Sequence, residues 1–396
     1  MAAPGTAREV LGVFAKLGVT SFGGPIAHLG YFRDEIVTKR RWIDDERYSD
    51  LVALCQFLPG PASSQVGFAI GMLRAGVAGA LAAFLAFTLP SAALMIAAAY
   101  GADLVGGPLG DGIIAGLKIV AVAIVAQAVW GMARSLTPDA RRATIAVAAA
   151  ASTVLLFGAA GQVVAIGLGA VAGLLWCRDA SDTVRPALHF PVSRPAGAVC
   201  LGLFALLLVG LPVIAAATGS GALALVDAFF RAGALVFGGG HVVLPLLEAG
   251  VVQPGWVTPE QFLAGYGVAQ AVPGPLFTFA GYLGALADVG PGGVVGGVLA
   301  LTAIFAPGFL LLSGVMPFWN DLRARPWASA LLRGANAAVV GILAAALYDP
   351  VFVSAIVDGW SFVLALVCFV LLVSWRWAPW LVVLVGAAGG ALLAFT

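Results

Sequence analysis

The sequence predicts an all-α polytopic membrane protein, an inverted-topology internal repeat with broken or re-entrant helices. Three observations predict it. Only 10% of the 396 residues are charged while 61% are hydrophobic, against roughly 25% charged residues in a soluble domain. The two halves of the chain match each other motif by motif. The Lys and Arg residues of matched loops are opposed.

A mean hydropathy of +1.04 leaves too little polar surface to face water, which makes this an integral membrane protein. The 52 glycines and 22 prolines suit membrane helices that pack closely and break. A net charge of +1 gives no reason to expect a nucleic-acid partner. The opening "MAAPGTAREVLGVFAKLGVTSFGGP" lacks the ordered cationic, apolar and small-residue regions of a cleaved signal peptide. Cys55, Cys177, Cys200 and Cys368 are scattered without metal-binding spacing and read as small hydrophobes. No zinc, nucleotide or nucleophile-elbow motif is present, so neither an enzyme, a cofactor nor a metal site is expected.

A membrane helix needs about 20 apolar residues. In chain order, 8–32 is apolar but interrupted by "FGGP" and 48–73 by "LPGP". Spans are predicted over 76–100, 112–133, 143–158 and 161–177, with 143–177 also open to other divisions, and over 196–218. Then 222–247 is interrupted by "FGGGH" and 261–287 by "VPGP", and spans follow over 292–316, 334–348, 359–375 and 378–395. Proline lacks an amide hydrogen and clashes with the preceding turn, so these breaks end helices. The interrupted segments are re-entrant hairpins or broken helices, which survive at membrane depth only inside protein or beside a polar cavity.

Phe14, Lys16, Gly18, Phe22, Gly23 and Gly24 match Phe229, Arg231, Gly233, Phe237, Gly238 and Gly239. Gln56, Pro59, Gly60 and Pro61 match Gln270, Pro273, Gly274 and Pro275; Pro90 matches Pro307, and Gly116 matches Gly334. Segment 33–47 carries Arg33, Lys39, Arg40, Arg41 and Arg47, whereas its counterpart 248–260 has no Lys or Arg. Loop 134–142 carries Arg134, Arg141 and Arg142 against Asp349 and Asp358; loop 101–111 carries Asp103 and Asp111 against Arg323, Arg325 and Arg333. Positive loops stay cytoplasmic, so each matched pair is placed on opposite sides. The organisation expected is a first repeat over 1–177, a cytoplasmic linker with a topology-flipping helix over 178–220, and an inverted second repeat over 221–396. The N-terminus is then cytoplasmic and the C-terminus periplasmic.

A broken helix exposes amide N–H groups and a partial positive charge at its new N-terminus, which attracts anions. Glycine lets an anion approach the backbone. Gln56 and Gln270 add amide donors one turn before their breaks, and Lys16 and Arg231 lie about two turns before theirs. The alternatives are close packing at the glycines and snorkelling of the two cations to an interface. His28 and His241 are unmatched and read as packed donors or proton carriers. Asp50, Asp103, Asp111 and Asp227 fall near the ends of predicted segments, which leaves no obvious acceptor for a coupled proton or sodium ion.

The stretches "SFGGPIAHLGYFRDEIVTKRRWIDDERYSDLVALCQFLPGPASSQVG" and "FFRAGALVFGGGHVVLPLLEAGVVQPGWVTPEQFLAGYGVAQAVPGP" resemble the two signature regions of the chromate transporter (CHR) family in its long, two-domain form. The resemblance implies export of chromate from the bacterial cytoplasm across the inner membrane. It carries the family's signature onto Phe22, Gly23, Gly24, Pro25, Gln56, Pro59, Gly60, Pro61, Phe237, Gly238, Gly239, Gln270, Pro273, Gly274 and Pro275, with Gly240 standing where the first repeat has Pro25. The expected partners are the oxyanion (chromate, or its mimic sulfate), the lipid bilayer, and a second copy in a homodimer. A dianion leaving an interior 100 mV negative gains about 4.6 kcal/mol, twice the ~2.3 kcal/mol of one charge, so potential-driven export or anion exchange fits better than proton coupling. A sulfate or other oxyanion carrier, or an anion channel of the same fold, is the alternative.

The opposed charges make a direct prediction. A cysteine placed at Gln253 should react with an impermeant thiol reagent added outside, and one placed at Thr38 should not. Equal labelling of both would sink the inverted topology.

Overall fold

The computed structural model describes residues 5–101, 107–156, 158–177, 190–237, 240–322 and 325–395. All regular structure among them is helical. The first repeat opens with α1 (Ala7–Thr20) and α2 (Gly24–Phe32), the latter running on into a π-helical turn, Arg33–Lys39. Then come α3 (Asp45–Phe57), α4 (Ala62–Gly101), α5 (Pro108–Leu136), α6 (Ala140–Leu156) and α7 (Gly158–Trp176). A long helix, α8 (Arg194–Thr218), leads to the second repeat. There the order recurs: α9 (Gly221–Ala234), α10 (Val243–Leu247) with the π-helical turn Glu248–Val252, α11 (Pro259–Ala271), α12 (Phe279–Leu286) and α13 (Gly293–Val315). Short α14 (Trp319–Leu322), α15 (Pro326–Ala346), one-turn α16 (Val353–Ala355), α17 (Gly359–Val373) and α18 (Pro379–Leu393) complete the chain.

The repeat extends to the caps that start the helices. Thr6 caps α1 and Ser220 caps α9, each through its hydroxyl to a backbone N–H three residues on. Asp44 caps α3, and Thr258 caps α11 in a capping box with Gln261. An N-cap satisfies one of the four orphan amides of a helix start. The matched glycines are explained by packing. A Cβ on Gly18 would lie 2.7 Å from the Ala86 carbonyl of α4, and one on Gly233 would lie 2.1 Å from the Ile304 carbonyl of α13. Thus α1 lies directly on α4, and α9 directly on α13.

Some predicted boundaries hold and others move. The boundary expected between 48–73 and 76–100 is present inside α4, which leaves helical geometry at Ala75 (φ −144°, ψ 30°) and Gly76 (φ 61°, ψ −153°) and so consists of two helical segments. A Cβ on Gly71 would sit 2.3 Å from the Gly79 carbonyl, although eight residues of straight helix span about 12 Å. The chain therefore doubles back at Gly76. Gly284 and Gly296 meet in the same way between α12 and α13. Within 143–177 the described helices are α6, to Leu156, and α7, from Gly158. Residues 326–333, about half of the expected loop 317–333, are helix, because Pro326 occupies the first turn of α15, where its missing N–H costs nothing. Asp50 and Asp227 are not at helix ends: both are buried in the middle of α3 and α9. Asp103 and most of the linker 178–194 lie outside the described residues.

The two repeats exchange helices. α5 packs on α18 of the other repeat, where Gly112 and Gly116 meet Gly390 and Gly386, and α15 packs on α7, where Gly334 meets Gly169 and Gly173. These stripes of small residues let backbones touch, the usual basis of helix association in lipid. Rings join the halves as well: Phe84 lies edge-on to Phe305 and Phe309 at 5.1 and 4.8 Å, and Phe68 stacks on Phe309 at 4.5 Å.

A Cβ at Gly116 would stand 2.1 Å from the Gly386 carbonyl, and one at Gly334 2.0 Å from that of Gly169, whereas Gly12 has open space. Gly116→Ala and Gly334→Ala should each destabilise the protein by about 1–3 kcal/mol, and Gly12→Ala should not. Equal unfolding temperatures for all three in detergent would refute the exchanged packing.

Candidate functional site

The four breaks meet. α1 ends at Ser21, whose backbone is extended, and α2 restarts after Gly23 (φ 95°) and at Gly24 (φ 78°). The Pro-Gly-Pro turns carry Gly60 at φ 124° and Gly274 at φ 98°. These are left-handed conformations that favour glycine. The Gly274 N–H donates to the Ser21 carbonyl at 2.9 Å, and the Gly60 N–H donates to the Val236 carbonyl at 2.7 Å. Ser21 and Val236 occupy matched positions. Each Pro-Gly-Pro tip is therefore bonded to the Gly-rich break of the other repeat, so those two amides are occupied by carbonyls rather than left for a ligand.

Pro25, in the first turn of α2, faces Gly240, on which a Cβ would lie 3.0 Å from the Pro25 ring. The replacement of proline by Gly240 in the second repeat is thus steric: where the two breaks touch, one carries the ring and the other makes room. Phe22 leans on Trp380 of α18 at 6.2 Å, and Phe237 is half-buried. The Pro59 carbonyl accepts from Gln65 Nε2 at 3.1 Å, Pro61 lies against Gly308, and the Pro275 carbonyl accepts from the Thr278 hydroxyl at 2.7 Å. Pro273 is half-buried beside buried Gly274. Gly238 and Gly239 lie outside the described residues.

The matched glutamines part company. Gln270 is buried with Nε2 unpartnered among the described residues, while Gln56 is exposed on α3. One turn before Gln270, the Tyr266 hydroxyl lies 2.7 Å from His241 Nδ1. The matched cations are both paired. Lys16 Nζ reaches buried Glu35 at 3.2 Å, where Lys39 and Arg40 also converge at 3.5 and 3.0 Å. Arg231 pairs with buried Asp227 one turn earlier on α9. Burial pushes the Glu35 carboxyl up, but Arg40 and Lys16 outweigh it and hold it below its ordinary value.

Of the polar lining, sequence reasoning named His28 and missed the rest. His28 is buried with Nδ1 3.3 Å from the Ser63 hydroxyl and its ring edge-on to Phe87 at 5.3 Å. Buried Gln65 spans to the second repeat, donating to the Gly308 carbonyl at 2.9 Å. A Cβ on Gly274 would lie 2.7 Å from the Ser91 hydroxyl. Buried Ser21 Oγ, Ser64 Oγ, Thr88 Oγ1 and Gln65 Oε1 have no hydrogen-bond partner among the described residues. A buried unpaired polar group costs roughly 1–3 kcal/mol, and such groups gather where a polar ligand or water is handled. The signal was present as "PASSQ", polar residues directly after the first Pro-Gly-Pro inside an apolar stretch. Hydroxyl and amide groups of this kind can donate hydrogen bonds to an oxyanion.

A family model described as chromate transporter matches residues 8–174 and again 223–391. The probable chromate transport protein of Synechococcus elongatus is 30% identical over 344 residues, covering 86% of this chain and 83% of that one. The chromate transport protein of Pseudomonas aeruginosa is 30% identical over 349 residues (86% and 80%), and that of Cupriavidus metallidurans 28% over 401 residues (98% and 94%). No solved structure matches the chain.

The reciprocal hydrogen bonds make crossed effects the test of this geometry. A side chain at Gly274 meets both the left-handed backbone, about 1–3 kcal/mol, and Ser91. Gly274→Leu should raise amide exchange at residues 21–28 in the first repeat, and Gly60→Leu at residues 234–237 in the second. Exchange changes confined to the mutated repeat would show that the tips do not lock one another.

Proposed function

The chain belongs to the chromate transporter family, and on that premise we propose that it is a secondary transporter exporting chromate from the bacterial cytoplasm across the inner membrane. The observation that carries the proposal is the crossing of the four breaks, tied by Gly60–Val236 and Gly274–Ser21 and lined by unpartnered buried polar atoms. A tetrahedral dianion needs donors on several sides at once, and two repeats contributing to one crossing supply them. In this reading the Ser21, Ser64 and Thr88 hydroxyls, the Gln270 amide and the α2 N-terminus at Gly23 to Pro25 contact the anion. Phe22, Pro59, Pro61, Phe237, Pro273 and Pro275 hold the breaks in shape. Lys16, which shares Glu35 with Lys39 and Arg40, and Arg231, paired with Asp227, contribute attraction rather than a tight clamp.

The inverted arrangement and its orientation belong to the same proposal. Loops that the sequence assigns to one side are in contact: Arg141 and Arg142 share a pocket with Arg333, and Arg194 reaches Asp321 at 3.2 Å. On the other assigned side, the Val294 N–H donates to the Tyr100 hydroxyl at 3.0 Å, and the Asp288 N–H to the Trp256 carbonyl at 2.8 Å. These contacts support the grouping of the loops by side, and the Lys and Arg bias of that grouping supports a cytoplasmic N-terminus and a periplasmic C-terminus. The two family matches flank α8, in keeping with repeats over 1–177 and 221–396 joined by 178–220.

Buried Asp227 gives proton coupling a specific group to use, so the test must separate it from electrical drive. Purified protein in proteoliposomes should release loaded radiolabelled chromate faster when a potential, negative inside, is imposed, and should saturate with substrate. Asp227→Asn should leave the response to potential in place. Flux driven only by a pH gradient would replace the electrical mechanism with proton coupling. Efflux of sulfate but not chromate would move the assignment to a sulfate carrier, and absent saturation would point to a channel.

A further inference from the structure

On the face where the basic loops meet, a cavity of about 360 Å³ is lined by Asp139, Arg141, Arg142, Trp176, Cys177 and Arg333. It is built from both repeats: Asp139 caps α6, Arg141 and Arg142 occupy its first turn, and Arg333 comes from α15. Among the described lining residues, three guanidinium groups stand against one carboxylate. The arginines are held in position. Arg141 Nη1 donates to the Trp176 carbonyl at 3.0 Å and Arg333 Nη1 to the Cys177 carbonyl at 3.2 Å, which closes the end of α7, and Arg142 pairs with Asp139. A guanidinium has five N–H donors, so a single carbonyl leaves most of Arg141's fork unused. The pocket plays no part in the crossing of the breaks.

What leads up to the pocket identifies its occupant. Val164, Leu168, Val171 and Leu175 fall at helical spacing on one exposed face of α7, and exposed Trp176 ends that stripe at the pocket. An apolar stripe ending in an aromatic ring and a cluster of cations follows the profile of a bilayer from tail to headgroup. We propose that this pocket binds the phosphate of an anionic phospholipid whose acyl chains lie along the outer face of α7. Arginine suits the task, since its planar fork matches a phosphate with two parallel bonds, and basic pockets between membrane helices bind such headgroups. The bound lipid bridges α6 and α7 of one repeat to α15 of the other, at the exchanged contact where Gly334 meets Gly169 and Gly173.

Asp139 is the internal competitor. The Arg142 backbone amide and guanidinium hold its carboxyl below the usual range, so it is charged at neutral pH. The experiment uses the full chain in detergent, with native mass spectrometry against phosphatidylglycerol and phosphatidylcholine. Phosphatidylglycerol should bind at least about tenfold more tightly, because both lipids carry the phosphate but the choline cation of the second is repelled by the arginines. Arg142→Gln, which leaves the two carbonyl ties to α7 intact, should reduce that preference. Asp139→Asn, an equally good helix cap, should increase it. Equal retention of the two lipids, or a preference unmoved by both substitutions, overturns the proposal. Inorganic phosphate that displaces phosphatidylglycerol and stabilises the lipid-free protein equally well would assign the pocket to a soluble anion instead.

Discussion

Breaking a helix inside a bilayer strips amides and carbonyls of their partners where no water replaces them. This chain breaks four times and resolves part of that debt reciprocally: the Gly60 and Gly274 amides each take a carbonyl from the break of the other repeat. The bonds require both tips to reach the crossing together, and the left-handed glycines make the tips narrow enough to do so. The rest of the architecture serves that meeting. Gly18 and Gly233 seat α1 and α9 on α4 and α13, whose rings interleave between the halves, so that Ser21 and Val236 arrive at matched places.

The exchange of α5 and α15 has the complementary role. Lipid gives no hydrophobic drive for helix association, so the halves adhere by close backbone packing at Gly116 with Gly386 and at Gly334 with Gly169. A chain built this way holds its crossing between two bodies that each depend on the other.

The charges fit the same division. Glu35 gathers Lys16, Lys39 and Arg40 at one end of α1, while Arg231 answers only to Asp227. The matched cations therefore stand in unequal surroundings, one in a net positive group and the other in a neutral pair. The His241–Tyr266 contact in the second repeat and the His28–Ser63 contact in the first continue the inequality. Duplication supplied a common frame, and the two copies carry different polar groups within it.

The membrane class, the duplication and the positions of all four breaks were legible in the residues, because each depends on local chemistry. Charge scarcity, a proline without its N–H and a glycine free to turn left-handed act wherever they stand, and the caps Thr6 and Ser220 or Asp44 and Thr258 repeat with them. The tertiary structure alone decided which break meets which. It separated Gln56 from Gln270, buried Asp50 and Asp227 in mid-helix, gave Lys16 its partner Glu35, and fitted Gly240 to the Pro25 ring. Those outcomes depend on how helices from distant parts of the chain pack, and a matched position in sequence says nothing of the neighbour that packing will bring.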